Sequence, residues 1–130
     1  MSGKLQLIIV IISLLLVACG GQASAKPEGD PEKGKTLFNQ AAIREAPGCV
    51  TCHSIDPGVI ILGPSLAGIG TRADQRIAEK TAVDYLRECI TNPNAYVVEG
   101  FSEGVMFQKF KDVLTEDEIN NLVTYLLTLE

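Results

Sequence analysis

The feature that most constrains the fold is the run Cys49-Val50-Thr51-Cys52-His53. This C-x-x-C-H pattern is typical of a site at which a c-type haem is attached covalently. Two thiols three positions apart on one turn can form thioether bonds to the two vinyl groups of a porphyrin, which leaves the next residue, His53, beneath the iron as the proximal ligand. The run therefore predicts one haem c, bound through Cys49 and Cys52.

Three other interpretations of the two cysteines compete with this one. A thioredoxin-like motif belongs in a βαβ pattern, and the sequence around Cys49 has none. A zinc site needs about four ligands, and only Cys89 remains outside this cluster because Cys19 has another predicted role. A structural disulfide would leave His53 without a function.

The N-terminus predicts export and lipid attachment. Lys4 precedes a nearly unbroken apolar run, residues 5–17, which is shorter than the roughly 20 residues of a membrane span and typical of a secretory signal peptide. The run ends in Leu16-Val17-Ala18-Cys19, which resembles a bacterial lipobox. This resemblance implies that residues 1–18 are a lipoprotein signal peptide and that Cys19 carries lipid; an uncleaved transmembrane anchor is the alternative.

The remaining chain divides into a tether and one domain. Residues 19–29 are rich in Ala, Ser and Gly without periodicity and predict a flexible tether. Residues 30–130 have the size of a single domain. The chain has 11 Lys and Arg against 16 Asp and Glu, a formal net charge of −5, and this acidity excludes nucleic acid as a partner. It favours partners with positive docking surfaces.

The first predicted helix begins after Asp30. Asp30 is a good N-cap, Pro31 suits the first helical position, and the helix should continue to about Arg44 or Glu45. Its inner face would consist of Gly34, Leu37, Phe38 and Ala41. Gly34 lowers helix propensity by about 1 kcal/mol relative to Ala, which suggests close approach of another backbone.

Two further helices follow from caps and periodicity. One runs from Thr81 to about Asn92, where Pro93 stops it, with one apolar side formed by Ala82, Tyr85, Leu86, Cys89 and Ile90. The other follows a capping box in residues 115–118 and carries a stripe of Ile119, Leu122, Val123 and Leu126. No strand pattern persists. The fold class predicted is all-α, with three or more helices and long loops wrapped around the haem.

Two irregular segments are assigned to the haem surroundings. Residues 59–62, Val-Ile-Ile-Leu, are interpreted as apolar lining of the ring edge, with a short strand as the alternative. Residues 93–114 have no clear period and are too long for an ordinary connection, so we expect this segment to wrap around something. It contains Met106.

The second iron ligand follows by elimination. His53 is the only histidine, and of the two methionines Met1 would be lost with the signal peptide. The thioether of Met106 is therefore the predicted sixth ligand, so that His53 and Met106 hold the metal. Lys109, Lys111 or an open position are the alternatives.

Taken together, these motifs resemble the class I cytochrome c family over nearly the whole domain. The resemblance rests on Gly34 and Phe38 in the first helix, the C-V-T-C-H run, Gly63-Pro64-Ser65-Leu66, the methionine loop and a last helix containing Tyr125. It implies a cytochrome c fold in which the first and last helices cross near Gly34. It also implies that the Pro64 carbonyl accepts the Nδ1 proton of His53.

Several features of the sequence are less specific. Arg72 and Tyr96 are candidates for contacts with the haem propionates, with a solvated or core role as the alternative for each. Cys89 is interpreted as a buried, inert thiol. The chain differs from bacterial proteins of the family it resembles in having Phe107 rather than proline after Met106, and it lacks the lysine-rich docking face of the mitochondrial members.

The predicted function is that of a membrane-anchored monohaem carrier of single electrons between respiratory or photosynthetic redox complexes, at the outer face of the cytoplasmic membrane or in the periplasm. The chain would not be an enzyme. Residues 81–104 resemble small monohaem subunits of quinol-oxidising complexes such as alternative complex III, so such a complex or a terminal oxidase is a candidate partner. The alternatives are a haem subunit of a larger oxidoreductase, a peroxidase-like enzyme with displaceable Met106, and a binding module without haem.

Overall fold

The computed structural model describes residues 28–130, and these residues form a helical fold. Five α-helices are present in this part of the chain: α1 Pro31–Phe38, α2 Ile69–Arg72, α3 Ala82–Thr91, α4 Phe110–Val113 and α5 Glu116–Leu126. The strands β1 Ala42–Ile43 and β2 Ala46–Pro47 form a small antiparallel hairpin. This content agrees with the predicted all-α class.

The predicted signal peptide, the lipidation site Cys19 and all but the last two residues of the tether lie outside the described residues. Between residues 28 and 130, none of the helices combines the length and the apolar character that crossing a bilayer requires.

The crossing of α1 and α5 is the most extensive contact between two elements of the described structure. A Cβ atom added at Gly34 would lie 2.0 Å from the carbonyl oxygen of Asn121, so only glycine permits this approach. One turn further along, the rings of Phe38 and Tyr125 pack with their centroids 5.5 Å apart. The predicted crossing near Gly34 is therefore confirmed.

Both of these helices begin with the caps that the sequence predicts. The Asp30 carboxylate accepts from the backbone N–H of Glu32 at 2.9 Å. At α5, Thr115 and Glu118 form a reciprocal capping box. The predicted apolar stripe of α5 is buried: Ile119, Leu122, Val123 and Leu126.

The predicted end of the first helix is wrong, because α1 ends at Phe38 rather than at Arg44 or Glu45. The side-chain amide of Asn39 donates to the carbonyl of Lys35 at 2.8 Å and terminates the last turn. The chain then forms the β1–β2 hairpin, which buries Ile43 and leaves Ala41 exposed. Local propensity favoured a longer helix, but burial of Ile43 and the long-range hydrogen bond from Arg44 to the Val113 carbonyl override it.

The predicted helix from Thr81 to about Asn92 is confirmed as α3. Thr81 caps it by accepting from the backbone N–H of Asp84 at 3.1 Å, and it ends at Thr91, before Asn92 and Pro93. Its buried face includes Tyr85, Leu86 and Ile90. These side chains line a central cavity together with residues of α5 and of the loop that contains Met106. Helix α3 therefore forms one wall of that cavity.

Residues 93–114 are largely irregular, as predicted. They contain only a 3₁₀ turn, Pro93–Ala95, and the short helix α4. Gly100 and Gly104 have φ values of 89° and 77°, a left-handed conformation that glycine adopts without strain. The side chain of Asn94 accepts from the N–H of Gly104 at 2.9 Å, which closes the loop on itself just before Met106.

The interpretation of residues 59–62 as ring lining is wrong for three of the four. Only Leu62 lines the central cavity, whereas Val59, Ile60 and Ile61 are exposed. The chain turns outward at Gly58, whose φ is 74°, and Ile60 forms an isolated antiparallel bridge with His53 rather than part of a sheet.

Candidate haem-binding site

A cavity lies at the centre of the fold, with about 1240 Å³ of empty space when its open mouth is included. Helices α1, α3, α4 and α5 contribute apolar walls to it, and the irregular segments close the remaining sides. Six of the predicted site residues line this single cavity: Cys49, Cys52, His53, Pro64, Tyr96 and Met106. The structure thus brings together residues that are far apart in the chain.

The C-x-x-C-H run is held as one compact turn. The backbone N–H groups of Cys52 and His53 both donate to the carbonyl of Cys49, at 3.1 and 2.9 Å. Gly48 holds this turn against the segment that follows α1, because a Cβ atom there would lie 1.6 Å from the carbonyl oxygen of Gln40. Local hydrogen bonding and a glycine contact therefore present both thiols and the imidazole to the same cavity.

Gly63 and Pro64, which follow the exposed residues 59–62, orient the imidazole of His53. Its Nδ1 lies 2.9 Å from the carbonyl oxygen of Pro64. Because a carbonyl oxygen only accepts, Nδ1 carries the proton and Nε2 is left with its lone pair for a metal. Burial lowers the pKa of His53, and the hydrogen bond to Pro64 opposes this shift only in part. The neutral imidazole, which is the metal-binding form, is therefore favoured.

Met106 is the one predicted candidate for the second ligand that lines the cavity. It is half-buried, and its carbonyl accepts a hydrogen bond from the side chain of Gln108 at 2.7 Å. Lys109 and Lys111 are exposed and are absent from the cavity lining. Neither of these alternatives is placed to bind a group held in the cavity.

The three described cysteines are all free thiols, so no disulfide forms among residues 28–130. Burial raises the pKa of the Cys49 thiol to about 11. Cys89 also lines the cavity, and burial raises its pKa, which makes it a poor nucleophile. In the described part of the chain, no three His, Cys, Asp or Glu side chains gather as a metal cluster.

The two candidates for propionate contacts are placed differently. Tyr96 lines the cavity and packs edge-on against Tyr85, with ring centroids 5.5 Å apart. Arg72 does not line it, because its guanidinium donates to the backbone carbonyls of Ala67 and Ser65, the latter at 2.9 Å. The sequence gives no sign of this arrangement, since both acceptors are backbone atoms of a preceding loop.

Sequence reasoning missed one polar group near the cavity. The Nε of Arg76 is buried and has no hydrogen-bond partner within residues 28–130. Arg76 lies close enough to Tyr85, a wall residue, for its charge to act on the phenol, whose pKa is raised chiefly by burial. Its position depends on a turn between α2 and α3, and no local pattern in the sequence marks it.

The site fits a haem. It offers two thiols for attachment, one imidazole nitrogen and one thioether sulfur in a wall that is otherwise mostly apolar and aromatic. Nitrogen and sulfur donors of this kind are those that hold haem iron in proteins. The buried Nε of Arg76 is not part of this donor set, because Arg76 does not line the cavity.

A helical fold that closes around one C-x-x-C-H turn defines a c-type haem protein. The family model for cytochrome c matches residues 31–130, and the chain belongs to the cytochrome c family. Proteins of this family bind haem c covalently through cysteines, here Cys49 and Cys52, and transfer electrons with it.

Proposed function

We propose that this cytochrome is a class I, lipoprotein-type monohaem carrier of single electrons, with His53 and Met106 as the axial ligands. The observation that carries the proposal is that both side chains line the same apolar cavity as Cys49 and Cys52. When bound, the haem supplies a reversible Fe(II)/Fe(III) couple.

Residues around the cavity would set the reduction potential of that couple. The hydrogen bond from His53 to Pro64 increases the electron density of the imidazole. A thioether is a weak donor that favours the reduced metal, and the apolar wall disfavours the extra charge of the oxidised one. If both His53 and Met106 bind the iron, they would leave no position open to small molecules, and the haem would exchange electrons without binding a substrate.

Replacing the proposed sulfur ligand tests this function. Met106→Ala should keep the covalent haem but lower the reduction potential by on the order of 0.1 V, since axial ligands set haem potentials over roughly 0.8 V. The matched control is Gln108→Ala, which removes the hydrogen bond to the Met106 carbonyl without removing sulfur. It should leave the potential and the ligand spectrum nearly unchanged.

An unchanged potential and ligand spectrum in Met106→Ala would remove Met106 from the assignment. Rapid binding of carbon monoxide or cyanide to the unmodified protein would favour the peroxidase-like alternative, because it requires a displaceable ligand. The midpoint potential and ligand-binding kinetics of the same preparations distinguish these outcomes.

We also propose that the protein is anchored by lipid on Cys19, at the outer face of the cytoplasmic membrane or in the periplasm. The support is the sequence alone: an apolar run over residues 5–17 followed by Leu16-Val17-Ala18-Cys19. Cys19→Ser should abolish labelling with radioactive palmitate, whereas the unmodified protein should take up the label and begin at Cys19. An unmodified protein that keeps residues 1–18 and takes up no palmitate would favour the uncleaved anchor.

The donor and acceptor are proposed to be redox proteins of the membrane, such as a quinol-oxidising complex or a terminal oxidase. The weak resemblance of residues 81–104 to monohaem subunits of such complexes supports this. Purification in mild detergent from the native membrane, followed by mass spectrometry, identifies what remains bound and separates a free carrier from a stable subunit.

A further inference from the structure

One arginine holds two backbone carbonyls of the segment that orients His53. The guanidinium of Arg72 donates through Nη2 to the carbonyl of Ser65 at 2.9 Å and through Nη1 to the carbonyl of Ala67. Ser65 shares a peptide group with Pro64, whose carbonyl oxygen lies 2.9 Å from Nδ1 of His53. Arg72 therefore acts on the backbone beside the hydrogen-bond partner of the imidazole, and not on the imidazole itself.

The other side of the same segment, residues 63–67, is bonded to the C-x-x-C-H turn and the residue after it. The N–H of Gly63 donates to the carbonyl of Cys52 at 2.9 Å, and the N–H of Leu66 donates to the carbonyl of Ser54 at 2.8 Å. The segment is thus held between this turn and the guanidinium of Arg72. Loss of the guanidinium would remove the bonds on one side and leave the segment freer to move.

The local structure is suited to an arginine at position 72. Gly68 has a φ of 66°, and a Cβ atom there would lie 3.1 Å from Nη1 of Arg72, so the glycine leaves room for the guanidinium. A planar guanidinium reaches two acceptors with separate nitrogen atoms, whereas the ammonium group of lysine has a single nitrogen. The bonds to Ser65 and Ala67 therefore depend on the shape of arginine as well as on its charge.

We propose that Arg72 is a positioning residue for the proximal ligand, because its bonds to Ser65 and Ala67 keep the Pro64 carbonyl in place to accept the Nδ1 proton of His53. This inference rests on the proposed role of His53 as an iron ligand. Arg72 does not line the cavity, so its effect reaches the metal through the His53 hydrogen bond. A looser bond to Pro64 makes the imidazole a poorer electron donor and favours the ferrous state.

The test follows the Nδ1 proton of His53 directly, by NMR of the ferrous holoprotein. Arg72→Lys should speed hydrogen exchange of this proton roughly tenfold relative to the amide protons of α5, which is the effect of losing about one charge-assisted hydrogen bond. The α5 amides report global unfolding, so the ratio isolates opening of the segment. The reduction potential of the variant should rise, although the charge at position 72 is kept.

Arg44→Lys is the matched control. Arg44 also donates to a backbone carbonyl, that of Val113 at 2.8 Å, but has no bond to residues 63–67. This change should lower stability and leave the exchange ratio and the potential as they are. A merely structural arginine would behave like Arg44, whereas a positioning residue would not.

Gly68→Ala provides a second test that keeps Arg72, because the added methyl group would displace the guanidinium. It should also speed exchange of the His53 proton relative to the α5 amides. Gly100→Ala is its control, because Gly100 has a similar left-handed φ of 89° with open space around it. It should leave the exchange ratio unchanged.

An exchange ratio in Arg72→Lys equal to that of the unmodified protein would overturn the proposal, and so would a potential that stays constant or falls. The ring protons of His53 in the unmodified ferrous protein separate the two levels of inference. If they lack the large upfield shift of an iron-bound imidazole, the proposed ligand is wrong. If the shift is present and the exchange ratio does not change, only the role of Arg72 is wrong.

Discussion

The Nδ1 of His53 donates to the carbonyl oxygen of Pro64 across 2.9 Å, and the backbone of Gly63 lies against the same ring. One short segment thus fixes both the protonation pattern and the orientation of the imidazole. The carbonyl that orients His53 belongs to Pro64, two residues after the exposed aliphatic residues 59–62.

Gly63→Ala should disturb the proximal ligand. A Cβ atom at this position would lie 2.4 Å from Cε1 of His53, so the ring must move. We expect a shifted reduction potential, altered absorption bands of the iron ligands and a loss of about 1–3 kcal/mol in the free energy of unfolding. Redox titration, absorption spectroscopy and denaturant unfolding measure these three quantities in turn. Gly58→Ala is the control, because its φ of 74° strains alanine but the site is open. Normal ligand bands in Gly63→Ala would show that the ring tolerates the contact.

The cysteine variants should separate attachment from packing. Cys52→Ala should leave one thioether, and the double change Cys49→Ala with Cys52→Ala should leave none, so that denaturing extraction removes the haem. Cys89→Ala should keep both bonds, since Cys89 only contributes to the cavity wall. Haem-stained denaturing gels and intact mass measure the outcome. Loss of bound haem in Cys89→Ala would contradict its inert role.

Gly34→Ala should destabilise the helix crossing despite improving helix propensity. The new methyl group would meet the carbonyl oxygen of Asn121 at 2.0 Å, and this clash outweighs a propensity gain of about 1 kcal/mol. We expect a net loss on the order of 2 kcal/mol in the free energy of unfolding, from denaturant titration of the holoprotein. Lys35→Ala, exposed on the same helix, is the control. A Gly34→Ala protein as stable as this control would mean that the helices separate without cost.

Low pH should weaken the contact between the β1–β2 hairpin and α5. Glu118 accepts from Arg44 at 2.8 Å and from the N–H of Thr115 at 2.8 Å, and the bond to Arg44 is the main reason its pKa is lowered. A lowered pKa means that Glu118 contributes stability above its unfolded pKa of about 4.3. That contribution is lost as the pH falls through the folded value.

Glu118→Gln tests this dependence, because glutamine keeps the capping oxygen but not the charge. The melting temperature of the variant should lie below that of the unmodified protein at pH 6–7. The difference should close as the pH falls below about 4. Scanning calorimetry at several pH values measures this difference, with Glu45→Gln, an exposed carboxylate on the hairpin turn, as the control. A difference that stays constant with pH would exclude the carboxylate charge as its source.

Positions with a local chemical reason could be predicted from the sequence. The N-caps Thr81 and Thr115 and the apolar stripes define where α3 and α5 begin and which sides they bury, because these signals act within a turn or two. The prediction of Met106 as an iron ligand rests on the scarcity of histidine and methionine rather than on any contact, and it stays a prediction. The end of α1 could not be predicted, since the hairpin that replaces its last turns depends on Arg44, which reaches the carbonyl of Val113 at 2.8 Å.

The sequence by itself therefore determined how this protein attaches its cofactor, because the C-x-x-C-H run supplies both thiols. One histidine and one methionine within residues 28–130 lead to the proposed iron ligands. Only the tertiary structure decided which loop residues face inward. It placed Leu62 at the cavity and Ile60 and Ile61 outside it, and gave the Arg72 guanidinium to backbone carbonyls rather than to the cavity. The reason is physical, because these outcomes depend on contacts between segments distant in the chain or on turns that no residue pattern specifies.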